Sequence, residues 1–399
     1  MARDGLPLVE PSEARAIVRA LRAGSAPDSP LTRWLTVGDA VILDEFELDL
    51  TQAAGGGFRS TLLVGDAGAG KSHLLTTMRY AAMQQDFITS LFANDPAAKL
   101  LFNRPDQIYQ SIIERMRLPA DPEGREDAFR LVLATWTEEA LSRLRGVPRS
   151  TSMLRRLAAA GLTPAFDKIP RRTRFTLAAY IMASEQRDAE VRDAFEEALR
   201  GRGMPNRELI QLAQRLRLDP EWIGYTPPSG DAGYYFGLLR VVCCMARAVG
   251  HAGLVLLFDE AIATSELPTR SRRKAFTVLG SLLFHEHHLS GAYVAAAFLP
   301  EYGLKLDQED RYTLPPDLWR GWLAYRRERV RELERPTACE LTQLRRRIAA
   351  LHGIAFGWDA IGTVGAQAEP CDRRRPSEPV RALVRRWVAA LDAQRPDGP

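Results

Sequence analysis

The sequence predicts an α/β fold with a parallel sheet, and three observations carry that expectation. Gly65-Asp66-Ala67-Gly68-Ala69-Gly70-Lys71-Ser72 stands between a short apolar run, Ser60 to Val64, and a stretch with helical spacing of apolar residues, His73 to Ala82. A second apolar run, Leu254 to Phe258, ends in Asp259-Glu260. Between the two lies a long region whose apolar residues recur at helical spacing. Short apolar runs alternating with helical stretches are the pattern of strands buried on both faces of a parallel sheet.

Strand, glycine-rich loop and helix, in that order, make a P-loop. The glycines let the backbone aim its N–H groups at phosphate oxygens, and the helix start adds its positive dipole end. Lys71 is placed to reach the β- and γ-phosphates, and the Ser72 hydroxyl to ligate Mg²⁺. The expected nucleotide-binding set is therefore Gly65, Asp66, Ala67, Gly68, Ala69, Gly70, Lys71, Ser72 and His73, with ATP and Mg²⁺ as cofactors. Within it, His73 is expected to pack or cap locally. A chance Gly-Lys-Ser in a turn is the competing reading, and composition weakens it. The chain has five lysines among 54 basic residues, and one stands at the single position that demands it.

Residues 12–24 read as a helix with Ser12 as N-cap and Gly24 at its exit. Phe87 to Phe92 reads as a second strand, and Pro105 to Met116 as a helix with Ile108, Ile112 and Ile113 inward. Phe129, Val132, Leu133, Trp136, Ala140 and Leu144 form one helical stripe; Phe175 to Met182 and Val191 to Leu199 continue the helical region. Far more chain separates Lys71 from Asp259 than one crossover between parallel strands requires, so residues 120–228 read as a helical insertion. Ala292 to Phe298 is a further strand. After the Pro315-Pro316 turn, an arginine-rich helix is expected over 317–335. Helices over 340–352 and 377–392 follow, with a loose segment between them. The resulting division is a first part of the core over 1–119, the insertion, the rest of the core over 229–315 and a C-terminal part over 316–399.

Asp259 closes its strand at the C-terminal edge of the sheet, where a carboxylate can hold Mg²⁺. Glu260 is placed to polarise a water attacking the γ-phosphate. Lys71, Asp259 and Glu260 are thus the expected catalytic residues, and Ser72 and Asp259 the expected metal ligands. Arg270, Arg272 and Arg273 are either a positive charge for the γ-phosphate or a solvated helix start. His285, His287 and His288 have no spacing that converges on a metal.

The net charge of +4 is mild, but its distribution is uneven. Nine arginines against four glutamates lie between Trp319 and Arg347, and Arg373, Arg374, Arg375, Arg381, Arg385 and Arg386 follow. A DNA contact is one reading of this C-terminal basic region and solvated helix faces the other. Cys243, Cys244, Cys339 and Cys371 lack metal spacing and read as buried free thiols of a reducing cytoplasm. No run approaches the ~20 apolar residues of a membrane span, and Met1-Ala2-Arg3-Asp4 opens no signal peptide. A cytoplasmic protein with no membrane partner is expected.

The P-loop and Leu256-Leu257-Phe258-Asp259-Glu260 resemble those of the AAA+/initiator-like ATPases. Arg19 to Gly24, Val37-Gly38 and Asn103 to Tyr109 resemble, more narrowly, the BREX ATP-binding protein family, BrxD. Ser271 to Ala275, Leu299 to Tyr302, Leu351-His352-Gly353 and the closing stretch Arg381 to Arg386 match its layout in order. The resemblance implies a bacterial phage-defence ATPase, working beside a helicase or other DNA-acting partners; a homo-oligomer is a further expected partner state. It also implies an AAA+-like core followed by a C-terminal helical or winged-helix-like lid, with Arg381 as candidate lid arginine at the nucleotide. Such ATPases often carry a polar sensor ahead of Pro300-Glu301, whereas this chain has Leu299. That departure implies hydrolysis that is slow or partner-dependent.

Three functions stay open on these residues. One is a DNA-associated ATPase whose nucleotide state controls assembly with partners. Another is a STAND-like switch in which nucleotide sets the oligomeric state without DNA contact. The third, a small-molecule kinase, would not need the second acid at Glu260. Lys71→Ala is expected to abolish ATP binding in isothermal titration, whereas Glu260→Gln retains binding and stalls phosphate release. Normal turnover by Glu260→Gln would remove Glu260 as the base.

Overall fold

The computed structural model describes residues 8–92, 102–145, 147, 169–218, 231–259, 268–284, 289–301, 325, 327–365 and 378–396. Its centre is a sheet of β1 (Phe58–Val64), β2 (Phe87–Phe92), β3 (Met116–Arg117), β4 (Gly253–Asp259), β5 (Ala292–Phe298) and β6 (Val330–Glu332). The strand order is β3-β2-β4-β5-β1-β6, with only β3 antiparallel to its neighbour. Every residue of β4 and β5 is buried, as strands covered on both faces require.

The helices before residue 120 are α1 (Pro11–Ala23), α2 (Thr32–Leu35), α3 (Ala40–Ala54), α4 (Lys71–Gln84) and α5 (Pro105–Glu114). The stretch over 120–228 contributes α6 (Ala128–Leu144), α7 (Arg171–Gln186), α8 (Ala189–Leu199) and α9 (Asn206–Arg215). After it come α10 (Ala232–Ala248), α11 (Thr269–Leu283), α12 (Ala338–Phe356), α13 (Ala360–Gly365) and α14 (Val380–Gln394). Alternation along the strands sorts their side chains between two layers. Leu63, Val255, Leu257 and Tyr293 share a cluster with Phe46 and Leu50 of α3 and Leu74 and Met78 of α4. Leu62, Leu254, Leu256, Phe258 and Val294 belong to the opposite cluster, with α5, α10 and α11.

Among the described residues, α6 to α9 share the sheet's core rather than forming one of their own. Trp136, Phe175 and Phe195 continue the same cluster that covers the second face of the sheet. The Tyr109 hydroxyl donates to the Leu199 carbonyl at 2.7 Å, and Gln110 Nε2 donates to Gly201 O at 2.8 Å, fastening α5 to the end of α8. Asp127, Asp188 and Asp231 cap α6, α8 and α10, each accepting from the backbone N–H three residues on.

A third cluster brings the two ends of the described chain together. Ile17, Val18 and Leu21 of α1 pack with Leu344, Ile348 and Leu351 of α12 and with Leu383, Val384 and Val388 of α14. Polar contacts fix the same packing. Arg22 donates to both oxygens of Asp392, at 2.9 and 2.7 Å, and His352 Nε2 lies 3.0 Å from the same carboxyl. A capping box between Thr337 and Glu340 starts α12.

Several local expectations shift. Glu10 rather than Ser12 is the N-cap of α1, because Pro11 fits the first helical turn, where its missing N–H costs nothing. The helix expected over 317–335 gives way to strand: residues 327–329 are helical, and Val330–Glu332 pair with Leu62–Val64 of β1. The backbone groups along the outer side of β1 need partners, and they override the helical propensity of the Arg/Glu run. The segment expected to be loose contains α13. Cys243 and Cys244 are free, but Cys339 is disulfide-bonded, since thiol pairing follows spatial approach that sequence spacing does not reveal. Cys371 lies outside the described residues. Among the described residues no strand follows β6, and no helix is long and apolar enough to cross a membrane.

Phe258 sits where the sheet meets the α5 side, stacked on Phe92 at 4.7 Å and tilted against Phe102 at 5.4 Å. Phe258→Ala is expected to lower unfolding stability by about 3–5 kcal/mol in urea titration. A loss below about 1 kcal/mol, the range of surface changes, would contradict this packing.

Candidate functional site

β1 delivers the chain to the glycine-rich loop, and α4 begins at Lys71 with Gly70 as its N-cap. Gly68 and Gly70 have φ of +77° and +107°, a region that costs other residues about 1–2 kcal/mol. Gly68 is constrained twice. A Cβ there would stand 2.9 Å from Cβ of Pro379, the residue that opens α14, and 3.8 Å from Cβ of Arg381. The C-terminal helix therefore rests directly on the loop. The Gly65 N–H donates to the Phe298 carbonyl at 3.2 Å, fastening the loop to the end of β5 as well.

Lys71 is only 4% exposed, and its ammonium donates to Gly65 O at 2.7 Å and Asp66 O at 2.9 Å. A buried ammonium needs acceptors, and the loop carbonyls supply them. Asp66 in turn accepts from Arg335 at 2.9 Å. That pairing had no local signal: Arg335 counted in the sequence only towards the basic excess. His73 Nε2 lies 3.0 Å from Thr36 Oγ1, which is also 3.1 Å from Thr77 Oγ1. Burial pushes the His73 pKa down to about 4, against a hydrogen bond with the Thr32 backbone. The neutral ring ties the P-loop helix to the segment after α2, a packing role.

A cavity of about 920 Å³, solvent at its mouth included, opens beside the loop. Gly68 to His73 form one wall. The chain from Leu21 to Asp39 contributes a second, and Pro336, Leu344, Val380, Arg381 and Val384 a third. Polar and apolar lining residues both occur: Lys71, Ser72 and Arg381 can meet phosphate, while Leu21, Pro27, Leu35, Val37 and Leu344 can enclose a flat base. The N-terminal walls carried no site signal of their own, only the family resemblance of Arg19 to Gly24 and Val37-Gly38, because their position depends on α1 docking against α12 and α14.

Asp259 closes β4 opposite Ala297 of β5, and Ala297 pairs with Leu63 of β1. The carboxylate is level with the end of β1, two strand spacings or about 10 Å away across the ladder. Alternation places it on the same side of the sheet as Val255 and Leu257, the α4 side, and it is 8% exposed. Arg270, Arg272 and Arg273 begin α11 and are not among the residues lining the cavity. Glu260, His285, His287 and His288 lie outside the described residues, as do Arg373, Arg374 and Arg375.

Many arginines of the C-terminal basic region are engaged within the molecule. Arg329 pairs with Asp49, Arg331 with Glu45, Arg335 with Asp66 and Arg386 with Glu378. Arg347 donates to the carbonyls of Trp34 and Thr36 at 2.7 and 3.0 Å. Among the described residues, these five arginines are engaged within the molecule and do not add to a free basic surface.

Loop, buried lysine and opposed acid at one edge of a parallel sheet define the chain as a P-loop-type α/β nucleotide-binding protein. Over residues 9–294, more than half its length, it matches the family described as BREX system ATP-binding protein BrxC/D, and it belongs to that family. It is accordingly an ATP-binding protein of a phage-defence system. No curated protein and no solved structure matches the chain.

The His73 shift has a consequence for acid stability. With a folded pKa of about 4 against an ordinary value of 6.5, the unfolded chain binds a proton that the folded chain refuses. Stability from this group is complete above pH 6.5 and falls as pH drops towards 4. His73→Gln is expected to shrink the loss of unfolding free energy between pH 7 and pH 4 by up to about 3 kcal/mol, measured by urea unfolding at both values. An unchanged loss would refute the burial of the ring.

Proposed function

We propose that the chain is an AAA+-like Mg-ATPase of the cytoplasm whose nucleotide state controls assembly with DNA-acting partners such as a helicase. The observation that carries this reading is the strand order: β5 stands between the P-loop strand β1 and the acid-bearing strand β4. The gap leaves room at the sheet edge for a γ-phosphate and an attacking water.

In this reading the triphosphate lies along Gly65 to Ser72, with Lys71 on its β- and γ-oxygens and the base against the apolar wall. Ser72 and Asp259 would hold Mg²⁺, since both offer hard oxygen donors, one from the first turn of α4 and one from the end of β4. Bound there, the ion offsets the charge of the phosphate oxygens. Glu260 polarises the water, and Arg381 reaches the phosphates from α14. A nucleotide in the cavity bridges the sheet to the layer of α1, α12 and α14, which is how its state would reach a partner. Leu299, directly after β5, offers no polar contact to a γ-phosphate, so turnover depends on a partner or a second copy.

The internal pairing of Arg329, Arg331 and Arg335 favours a second reading, the STAND-like oligomerisation switch without DNA contact. On the first reading, phosphate release from ATP is slow for the isolated protein and rises with the partner. DNA binding then falls steeply between low and physiological salt. On the second, elution in size exclusion shifts between ADP and a non-hydrolysable ATP analogue while DNA stays unbound. No hydrolysis under any partner condition, together with one elution volume in every nucleotide state, would overturn both.

A further inference from the structure

Asp39 occupies the N-cap position of α3, yet its side chain makes no cap hydrogen bond. Asp127, Asp188 and Asp231 at the same position of other helices each accept from the backbone, which is the ordinary reason for an acid there. Asp39 lines the nucleotide cavity instead, beside Leu35 and Val37. Among the described residues its carboxyl forms no hydrogen bond or ion pair.

The charge that acts on it is another acid's. Glu340 of α12 accepts from the Thr337 N–H and hydroxyl at 2.7 and 2.8 Å, and its carboxylate would stand 3.5 Å from a Cβ on Gly38. A half-buried acid facing an acid and capping nothing is costly unless a donor arrives. In this cavity the donor comes with the ligand.

We propose that Asp39 reads the base, its carboxyl accepting a hydrogen bond from the 6-amino group of adenine. The inference rests on the ATP site described above. Burial, reinforced by Glu340, pushes the Asp39 pKa up to about 7, so near neutral pH much of it is the uncharged acid. That form carries one O–H donor and one acceptor oxygen, which match ring N1 and the 6-amino group of adenine. Asparagine presents the same pair, whereas alanine presents neither.

The test compares ATP with purine riboside 5′-triphosphate, which lacks only the 6-amino group, by titration calorimetry with Mg²⁺. The wild type is expected to prefer ATP by roughly tenfold, the value of about one buried hydrogen bond. Asp39→Ala removes both contacts from ATP but only the contact to ring N1 from the purine analogue, so it should weaken ATP more and cut the preference to within about twofold, while Asp39→Asn restores most of it. Inorganic tripolyphosphate, which engages only the loop, should bind the wild type and Asp39→Ala alike and so reports an intact fold. Equal weakening of both nucleotides, or of neither, overturns the inference and leaves the ATP site standing. Failure of the wild type to bind either nucleotide overturns both.

Discussion

Leu63, Ala297 and Asp259 stand in one row across three parallel strands, and that row fixes the chemistry available at the sheet edge. One residue beyond Leu63, the chain leaves β1 for the phosphate-type loop. In the same row two strands away is the buried carboxylate. Parallel pairing holds the two at a fixed separation, and the period of two keeps Asp259 on the α4 side. A slip of β4 by one residue would turn the acid to the opposite face and put Phe258 against α4. The buried row of Ala295, Ala296 and Ala297 keeps β5 slim between the two functional strands.

The second dependence is the docking of the chain ends over this edge. α1 cannot bury its apolar face against the sheet, since α3 and α4 already occupy that layer; it meets α12 and α14. This puts Pro379 on Gly68 and Arg381 beside the loop, and closes a cavity that neither terminus could form alone. Arginines that read as a basic stretch neutralise acids of α3 and of the loop. Their positive charge is therefore used in holding the C-terminal part to the core, which bears directly on whether nucleic acid is a ligand of this face. Asp39 sits within the same arrangement as an acid without a structural duty.

The phosphate-type loop, β2, β4 and β5 were legible in the sequence because their signals are local. A glycine pattern with one lysine and uninterrupted apolar runs need no distant residue to be recognised. The stripe from Phe129 to Leu144 was readable as a helix for the same reason, but its union with the sheet's own core was not. β6 was hidden, since Val330–Glu332 becomes strand only by pairing with β1. The Arg335–Asp66 pair and the bonded state of Cys339 were equally silent, each depending on groups brought together only by folding.

By itself, then, the sequence determined that a P-loop-type α/β core would form, where four of its strands lie and which lysine and acid stand at the sheet's loop end. Backbone conformation and burial at those positions are set by residues within a few places along the chain. Tertiary structure alone decided what encloses the cavity beside the loop, because its walls come from α1, α12 and α14, far apart in sequence and joined by their shared apolar faces. It also decided which charges remain available: an arginine is a ligand for phosphate or a partner for an internal acid according to what folding places beside it.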